Sequence, residues 1–86
     1  MKSKPALVWD AWNKDHIKKH GVTVAEAEEA YHYEVGRTDS YDGRQMFFGV
    51  TKKRRLITVA VSYKKQRRPY PVSARIMSKK ERRMYL

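Results

Sequence analysis

Cysteine is absent from this chain of 86 residues, and its absence excludes several classes of protein. Without cysteine there is neither a disulfide framework nor a thiolate metal site, a composition that suits a reducing compartment. No apolar run approaches the ~18 residues that a transmembrane helix needs, and Met1 to Pro5 lead into no apolar segment of the kind that a signal peptide carries. A chain this short accommodates one domain, residues 1–86. We therefore expect a single cytoplasmic domain without membrane association.

Glycine is also scarce, and the sequence lacks the common catalytic motifs. The four glycines are scattered and form no phosphate-binding loop. Serine and histidine show no spacing typical of a hydrolase triad. Asp39 and Asp42 flank a stretch with turn composition, where aspartate is common for conformational reasons. Kinase, dinucleotide-binding, glycosidase and classical hydrolase functions therefore receive no support.

Acidic residues are nearly missing from the second half of the chain. Residues 1–43 hold six Lys/Arg against eight Asp/Glu, whereas residues 44–86 hold fourteen against one, for a net charge of +11. Solubility alone requires no such segregation. This segregation of charge favours a polyanionic partner, nucleic acid first, bound through phosphate contacts and counterion release.

The histidines offer little to a metal ion. His16 and His20 are spaced i, i+4 and therefore share one face of a helix, but a zinc site needs three or four ligands. His32 is the one further histidine, and no glutamate stands between the pair as in the H-E-x-x-H motif. We expect a packed or partly exposed pair, no metal site and no cofactor.

The N-terminal third of the chain predicts two helices. Asp10 is a suitable N-cap for a helix over residues 11–20, which Gly21 would end. Thr23 and Glu26 form a capping box for a second helix from Val24 to about Tyr33. The run from Leu7 to Trp9 fits either a first strand or an extended lead-in. We expect Trp9 and Trp12 to be core anchors because they bring large apolar area.

The remainder of the chain changes to a period of two, which is typical of strands. The predicted strands cover residues 35–39, 44–50, 56–63 and 72–76, with Val72, Ala74 and Ile76 on one face of the last. Cationic turns separate them at residues 51–55 and 64–69. Pro69 and Pro71 restrict the last strand to a sheet edge or a bulge.

A second capping box, Ser78 with Glu81, opens a short basic C-terminal helix. Two helices, a meander of strands and a final helix predict an α+β fold. We expect an antiparallel sheet of about four strands that is covered on one face.

Arginine, lysine, histidine and tyrosine near a sheet can cleave RNA without a metal ion. In that reaction the ribose 2′-OH attacks the adjacent phosphorus, so a site must accept its proton, stabilise the phosphorane and protonate the departing 5′-oxygen. Arg75 is the leading phosphate clamp because it lies on the strand face opposite the apolar residues. An arginine there needs a partner, which is either a substrate phosphate or a carboxylate of the protein.

Other side chains complete the predicted catalytic set. Arg44 and Arg55 can join Arg75 from neighbouring strands. Tyr85 has a proton to donate and a ring that can stack on a base or pack on the sheet. Lys19 or His20 is the possible proton acceptor.

Further cations are predicted to bind RNA phosphates, with a solvated surface as the alternative for each. They are Lys52, Lys53 and Arg54 in the first cationic turn, and Lys79, Arg82 and Arg83 in the last helix.

Segments along nearly the whole chain resemble one protein family. The most specific is the C-terminal pattern Ser73-Ala74-Arg75-x-Met77-Ser78-x-x-Glu81-Arg82-Arg83-x-Tyr85. Trp9-Asp10, residues 19–22, Glu26-Ala27, residues 44–49 and Arg55-Leu56 match elsewhere. Together they resemble the BrnT toxins, RelE-like ribonucleases of toxin–antitoxin pairs. The chain departs from the pattern at Ile76, where relatives often carry Asp, and at Arg54, where they often carry Gly.

The resemblance implies a RelE-like fold, endoribonuclease activity and growth arrest when the toxin is unopposed. It also implies a BrnA-like antitoxin, a ribbon-helix-helix protein through which the complex would contact DNA indirectly. The residues themselves leave two other functions open. One is a non-catalytic module that binds nucleic acid through the same cations, and the other is an interaction domain whose basic face docks an acidic protein.

Overall fold

The computed structural model describes residues 4–64 and 67–86. Its elements are α1 (Ala11–Lys18), α2 (Val24–His32), β1 (Glu34–Asp39), β2 (Arg44–Val50), β3 (Leu56–Ser62), β4 (Tyr70–Ile76) and α3 (Lys79–Tyr85). The chain has an α+β fold, as predicted, with two N-terminal helices, a four-stranded antiparallel sheet and a short C-terminal helix. Residues 1–3, and residues 65–66 of the second cationic turn, lie outside the described residues.

Local sequence signals explain where the helices begin. Both predicted capping boxes are present, Thr23 with Glu26 and Ser78 with Glu81. The structure adds another, in which Asp10 and Asn13 exchange side-chain and backbone hydrogen bonds of 2.9 Å. Each box satisfies N–H groups that a helix N-terminus leaves without a partner, so the chain can leave an extended segment and turn into a helix at once.

The sheet has the order β1-β2-β3-β4, so β4 is an edge strand, where proline is tolerated. We predicted that Val72 shares a strand face with Ala74 and Ile76, and this was wrong. The register between β3 and β4 shifts, so that Val61 pairs with Pro71 and Ala60 with Ser73. Val72 is therefore the extra residue of a β-bulge. Pro71, which has no N–H to give to the ladder, is the buried residue at that point. The stretch from Leu7 to Trp9 is an extended lead-in, held by a 3.0 Å bond from the Val8 N–H to the Pro69 carbonyl.

One face of the sheet carries the hydrophobic core and is covered by α1 and α2. Paired residues Phe47, Val59 and Ala74 form a row across three strands, and Ile17 of α1 and Tyr31 of α2 belong to the same buried cluster. The α2 helix lies very close to β2, since a Cβ added at Gly49 would be 1.9 Å from the Ala30 carbonyl oxygen.

The prediction of a sheet covered on one face was wrong. The paired residues Gly36, Phe48, Thr58 and Arg75 form a row across all four strands on the other face, and side chains of α3 contact that row. The β2 strand therefore buries aromatic side chains in both directions, Phe47 towards the core and Phe48 towards α3. Alternation identified the strands but not that both sides would be covered.

The two tryptophans differ. Trp9 is partly buried against the core and its indole N–H donates to Glu28 Oε1 at 2.7 Å. Trp12 is 58% exposed, so its prediction as a core anchor was wrong. It lies on an outer face of α1 because Asn13 and Ile17 are that helix's buried residues. Within the described part of the chain, no helix has the length and apolar character needed to span a membrane.

Candidate nucleic-acid interface

Arg75 is bound to a carboxylate of its own chain. Its Nη1 and Nη2 donate to the two oxygens of Glu81 at 2.7 and 2.8 Å, the bidentate geometry that arginine and carboxylate favour. The sequence left the partner open between a phosphate and a carboxylate, and in this structure it is the carboxylate. The Arg75 side chain is still 39% exposed, so a ligand can approach it.

Glu81 accepts more than the capping box requires. Besides Arg75, it accepts from the Thr58 hydroxyl at 2.8 Å and from the Ser78 N–H at 2.9 Å. The hydrogen bonds from Arg75, followed by those from Ser78 and Thr58, lower the pKa of Glu81 to about 2, although its burial acts to raise it. In return the carboxylate raises the pKa of Arg75. This ion pair fastens α3 to the sheet.

Tyr85 packs its ring against the sheet, one helical turn after Glu81. The ring stacks on Phe48 with centroids 4.2 Å apart and an interplanar angle of 14°. It also lies over Gly36, where an added Cβ would be 2.3 Å from Tyr85 Cδ1. Of the roles open to Tyr85 in the sequence, ring packing is the one that this structure displays.

Arg55 lies on the side of the sheet that α1 and α2 cover. Its Nη1 donates to Glu26 Oε2 at 2.6 Å and to the Gly21 carbonyl at 3.2 Å. The Thr23 N–H, together with Arg55, lowers the pKa of Glu26 despite its partial burial. Arg55 therefore lies at the turn between α1 and α2, on the other side of the sheet from Arg75.

The possible proton acceptors belong to this same turn. Lys19 forms an exposed pair with Asp15 at 3.5 Å, and the His20 ring meets that of His16 edge-on at 5.4 Å. His20 and Lys19 thus adjoin Gly21, to which Arg55 is bound, and not Arg75 or Tyr85.

Arg44 lies at the other end of the sheet. It pairs with Ser62, whereas Arg75 pairs with Thr58, so their partners are four positions apart along β3. At about 3.3 Å per residue this is about 13 Å. Arg75 and the Tyr85 ring therefore lie along one row of the sheet, Arg75 on β4 and the ring over β1 and β2, whereas Arg44, Arg55, Lys19 and His20 lie apart from that row.

The predicted RNA-binding cations are all exposed, and we call them the α3 cationic surface: Lys52, Lys53, Arg54, Lys79, Arg82 and Arg83. The turn and the helix that carry them meet where the Met77 N–H donates to the Leu56 carbonyl at 2.9 Å. Within residues 4–64 and 67–86, none of these side chains has a carboxylate at salt-bridge distance. The single acid of residues 44–86, Glu81, is turned inward, and the shallow hollow formed by Lys79, Arg82 and Arg83 is lined by cations. Lys52 differs, because its backbone N–H donates to Glu29 Oε1 at 3.3 Å.

Sequence reasoning missed a cleft at the end of the sheet that carries Arg44. The far-end cleft has a volume of about 450 Å³, and its lining includes Trp12, Arg44, Ser62, Lys64 and Tyr70. The exposure of Trp12 could have been inferred from the helical spacing of Trp12, His16 and His20, because that stripe misses the buried positions of α1. Its proximity to Arg44 depends on tertiary packing.

Another cleft of about 490 Å³ lies beside Arg55. Its lining includes Lys52 and Lys53, but also the carboxylates of Glu26 and Glu29. Those carboxylates disfavour phosphate, so this cleft is the weaker candidate for nucleic acid. In the ranges 4–64 and 67–86, no three His, Cys, Asp or Glu side chains are grouped so that they could hold a metal ion.

Comparison with known proteins gives no relative: no protein-family model, curated protein or solved structure matches the chain.

Proposed function

We propose that this protein is a BrnT-like endoribonuclease toxin that binds and cleaves RNA in the cytoplasm without a metal ion. The observation that carries the proposal is the helical part of the α3 cationic surface, Lys79, Arg82 and Arg83, beside which the carboxylate of Glu81 is turned inward to Arg75. When exposed cations without acidic neighbours bind a polyanion, they release the counterions condensed on it, and this release favours binding. Arg75 lies beneath the same helix and supplies a guanidinium at the edge of that surface.

The chemistry assigned to these residues is attack by the ribose 2′-OH on the adjacent phosphorus, with loss of the 5′-oxygen. A guanidinium lowers the barrier to this step when its interaction with the phosphorane oxygens strengthens as negative charge develops on them. For Arg75 to act in this way, a phosphate oxygen must replace Glu81, which is feasible because the pair is partly exposed. The Tyr85 hydroxyl is the proposed proton donor to the departing oxygen, and Lys19 or His20 would act only if substrate binding rearranged the site.

A partner is part of this proposal. A BrnA-like ribbon-helix-helix antitoxin would cover the α3 cationic surface with acidic groups and thereby block RNA. Co-expression with the product of the neighbouring gene should give a complex that is retained when the toxin is purified. Charge reversal at Lys79, Arg82 and Arg83 should dissociate this complex, and a toxin that always purifies alone would count against it.

A second function is favoured by a different observation. Arg75 and Arg55 are both paired with carboxylates, and the Tyr85 ring is packed on the sheet. The cations left available are then those of the surface, which is what a non-catalytic RNA-binding module requires. This alternative predicts salt-sensitive RNA binding and no cleavage product.

The test is cleavage of single-stranded RNA by purified protein in excess EDTA. Under the proposed function the parent cleaves, and Arg75→Ala loses about 10²–10³-fold in rate while it still binds RNA. Glu81→Gln is the matched variant, because glutamine preserves the capping box but removes the charge that holds Arg75. It should cleave at least as well as the parent.

Several results would count against cleavage by this site. Equal rates for the parent and for Arg75→Ala combined with Tyr85→Phe would place the activity elsewhere. Binding without product, also in the presence of translating ribosomes, would leave the RNA-binding module. Circular dichroism of each variant shows whether α3 and the sheet are retained.

A further inference from the structure

The far-end cleft combines an exposed aromatic ring with cations that the proposed catalytic site does not use. Trp12 and Tyr70 contribute rings, and Arg44 and Lys64 contribute positive charge. Its volume of about 450 Å³ lies within the range of small-molecule sites. Rings beside cations are the combination with which proteins hold single-stranded nucleic acid, because bases stack while phosphates pair with charge.

The Trp12 ring is both exposed and restrained, as a stacking platform requires. Burial of so large a ring would stabilise the fold, but Trp12 is 58% exposed. Its apolar area therefore contributes little to the stability of the fold. His16 covers it in parallel, with ring centroids 4.9 Å apart and an interplanar angle of 7°. This stack restrains the indole before any ligand arrives.

The cations of the cleft are held only weakly. The Arg44 guanidinium lies 5.4 Å from the Tyr41 ring centroid and 3.4 Å from its hydroxyl, both at the surface. Lys64 pairs with Asp42 at 2.7 Å, but both side chains are largely exposed. An exposed pair of this kind contributes little, so a phosphate can compete for the lysine.

Asp10 also lines the cleft, and its carboxylate is hydrogen-bonded within the protein. Asp10 caps α1 through Oδ1, which accepts from the Asn13 N–H at 2.9 Å, and its Oδ2 accepts from the Tyr70 hydroxyl at 2.8 Å. Burial, together with this hydrogen bond, raises the pKa of Tyr70 to about 12, so the hydroxyl stays protonated. Asp10 therefore orients Tyr70 and presents less charge to a ligand.

A strip of sheet that is exposed only in part lies between the cleft and α3. The next row of paired residues beyond α3 is Thr38, Met46, Ala60 and Ser73, followed by the row that contains Arg44 and Ser62. All of these lie on the face that carries Arg75, and the cleft is about 13 Å from the Arg75 row. A strand that crosses this face can reach both places.

From this arrangement we infer that the far-end cleft binds one nucleotide of single-stranded RNA, with its base on Trp12 and its phosphate between Arg44 and Lys64. The inference rests on the proposed function for the identity of the ligand as RNA. It adds a second anchoring point, which fixes the direction of the strand across the sheet.

Trp12→Ala is the first test, because alanine suits an exposed helical position. Binding is measured by fluorescence anisotropy of a labelled single-stranded RNA of about ten nucleotides. We expect affinity to fall by roughly 5- to 100-fold, the loss that removal of one stacked base produces. Tyr33→Ala is the matched control, since Tyr33 is 57% exposed and does not line the cleft; its affinity should equal that of the parent.

Salt dependence separates the two parts of the cleft. Arg44→Gln removes a phosphate contact and should reduce the slope of log affinity against log salt by about 0.7. Trp12→Ala should lower affinity at every salt concentration and leave the slope unchanged. Unaltered thermal unfolding midpoints exclude a general loss of structure in either variant.

The outcomes distinguish this inference from the proposed function. Equal RNA affinity for Trp12→Ala and Tyr33→Ala would overturn the cleft as a nucleotide site. The proposed function would still stand in that case if the triple variant, with glutamine at Lys79, Arg82 and Arg83, bound RNA more weakly than the parent. A parent that binds no RNA would overturn both. Loss of antitoxin binding in Trp12→Ala with unchanged RNA affinity would make the cleft a protein contact and overturn the inference.

Discussion

The two faces of the sheet are covered in different ways. On the core face, α1 and α2 bury Phe47, Val59 and Ala74 beneath two helices. On the other face, α3 has only seven residues and no buried residue of its own, and it attaches through Glu81 and Tyr85. The first face is held by apolar burial, whereas the second is held by one ion-pair network and one stacked ring.

This difference indicates which part of the molecule can respond to a ligand. Apolar burial is non-directional and distributed over many side chains, so the core face resists change. A short helix held by two side chains has few contacts to lose and belongs among the less stable parts of a structure. The cations proposed to meet RNA lie on and beside that helix.

The largest effect is expected on the core face, from Gly49→Ala. The new Cβ would lie 1.9 Å from the Ala30 carbonyl oxygen, a backbone atom that cannot rotate away. We expect a loss of about 4 kcal/mol or more in the free energy of unfolding, measured by urea denaturation. Gly21→Ala is the control, because it meets no atom within 4 Å and suffers only from its φ of +74°. A similar cost for both would refute the close approach of α2 to β2.

Glu81→Gln tests the ion pair that fastens α3. The folded-state pKa of Glu81 is lowered to about 2, so its charge stabilises the fold above its ordinary pKa, and this stability is lost as pH falls through about 2. At pH 7 we expect a cost of roughly 2 kcal/mol, less than the full pKa shift implies because Arg75 is partly exposed.

The pH dependence supplies the check on that prediction. The stability difference between the parent and Glu81→Gln should be constant above about pH 5 and should shrink towards pH 2. Urea denaturation at a series of pH values measures it. A difference that persists unchanged at pH 2 would mean that the charge of Glu81 is not what stabilises α3.

The stacked ring is tested by Gly36→Ala together with Tyr85→Ala. An added Cβ at Gly36 would overlap the Tyr85 ring, which is a side chain near the end of the chain and can yield, so we expect a cost of about 1 to 2 kcal/mol. Once the ring is removed, the same change should cost less by about 1 kcal/mol. Met84→Ala, at an exposed position of α3, is the control and should be additive with Gly36→Ala.

The smallest effect is expected in the turn between β2 and β3. Arg54 has a φ of +65°, a left-handed conformation that disfavours side chains with a Cβ. Arg54→Gly should therefore stabilise the fold by about 1 kcal/mol and weaken RNA binding by removing one cation. Thermal unfolding and anisotropy measure the two changes, and a destabilised glycine variant would contradict the assigned backbone conformation.

The sequence alone determined the elements and their order. Capping boxes join residues three apart, and strand alternation is read over a few neighbours, so Thr23 with Glu26, Ser78 with Glu81 and the strand Arg44–Val50 could be located from local signals. The asymmetric charge is likewise a property of the chain, since it follows from counting residues. These signals are enough for an α+β fold with two initial helices and one final helix.

Only the tertiary structure decided which functional groups meet. Arg75 finds Glu81 because α3 folds back over the sheet, and Tyr85 reaches Gly36, 49 positions away, because four strands align their paired residues in one row. The same registers place Arg44 away from Arg75, and the packing of α1 brings Trp12 to the cleft that Arg44 lines. Such proximities arise from strand register and from the choice of face, neither of which local periodicity encodes, because a shift of one residue moves every side chain to the opposite side.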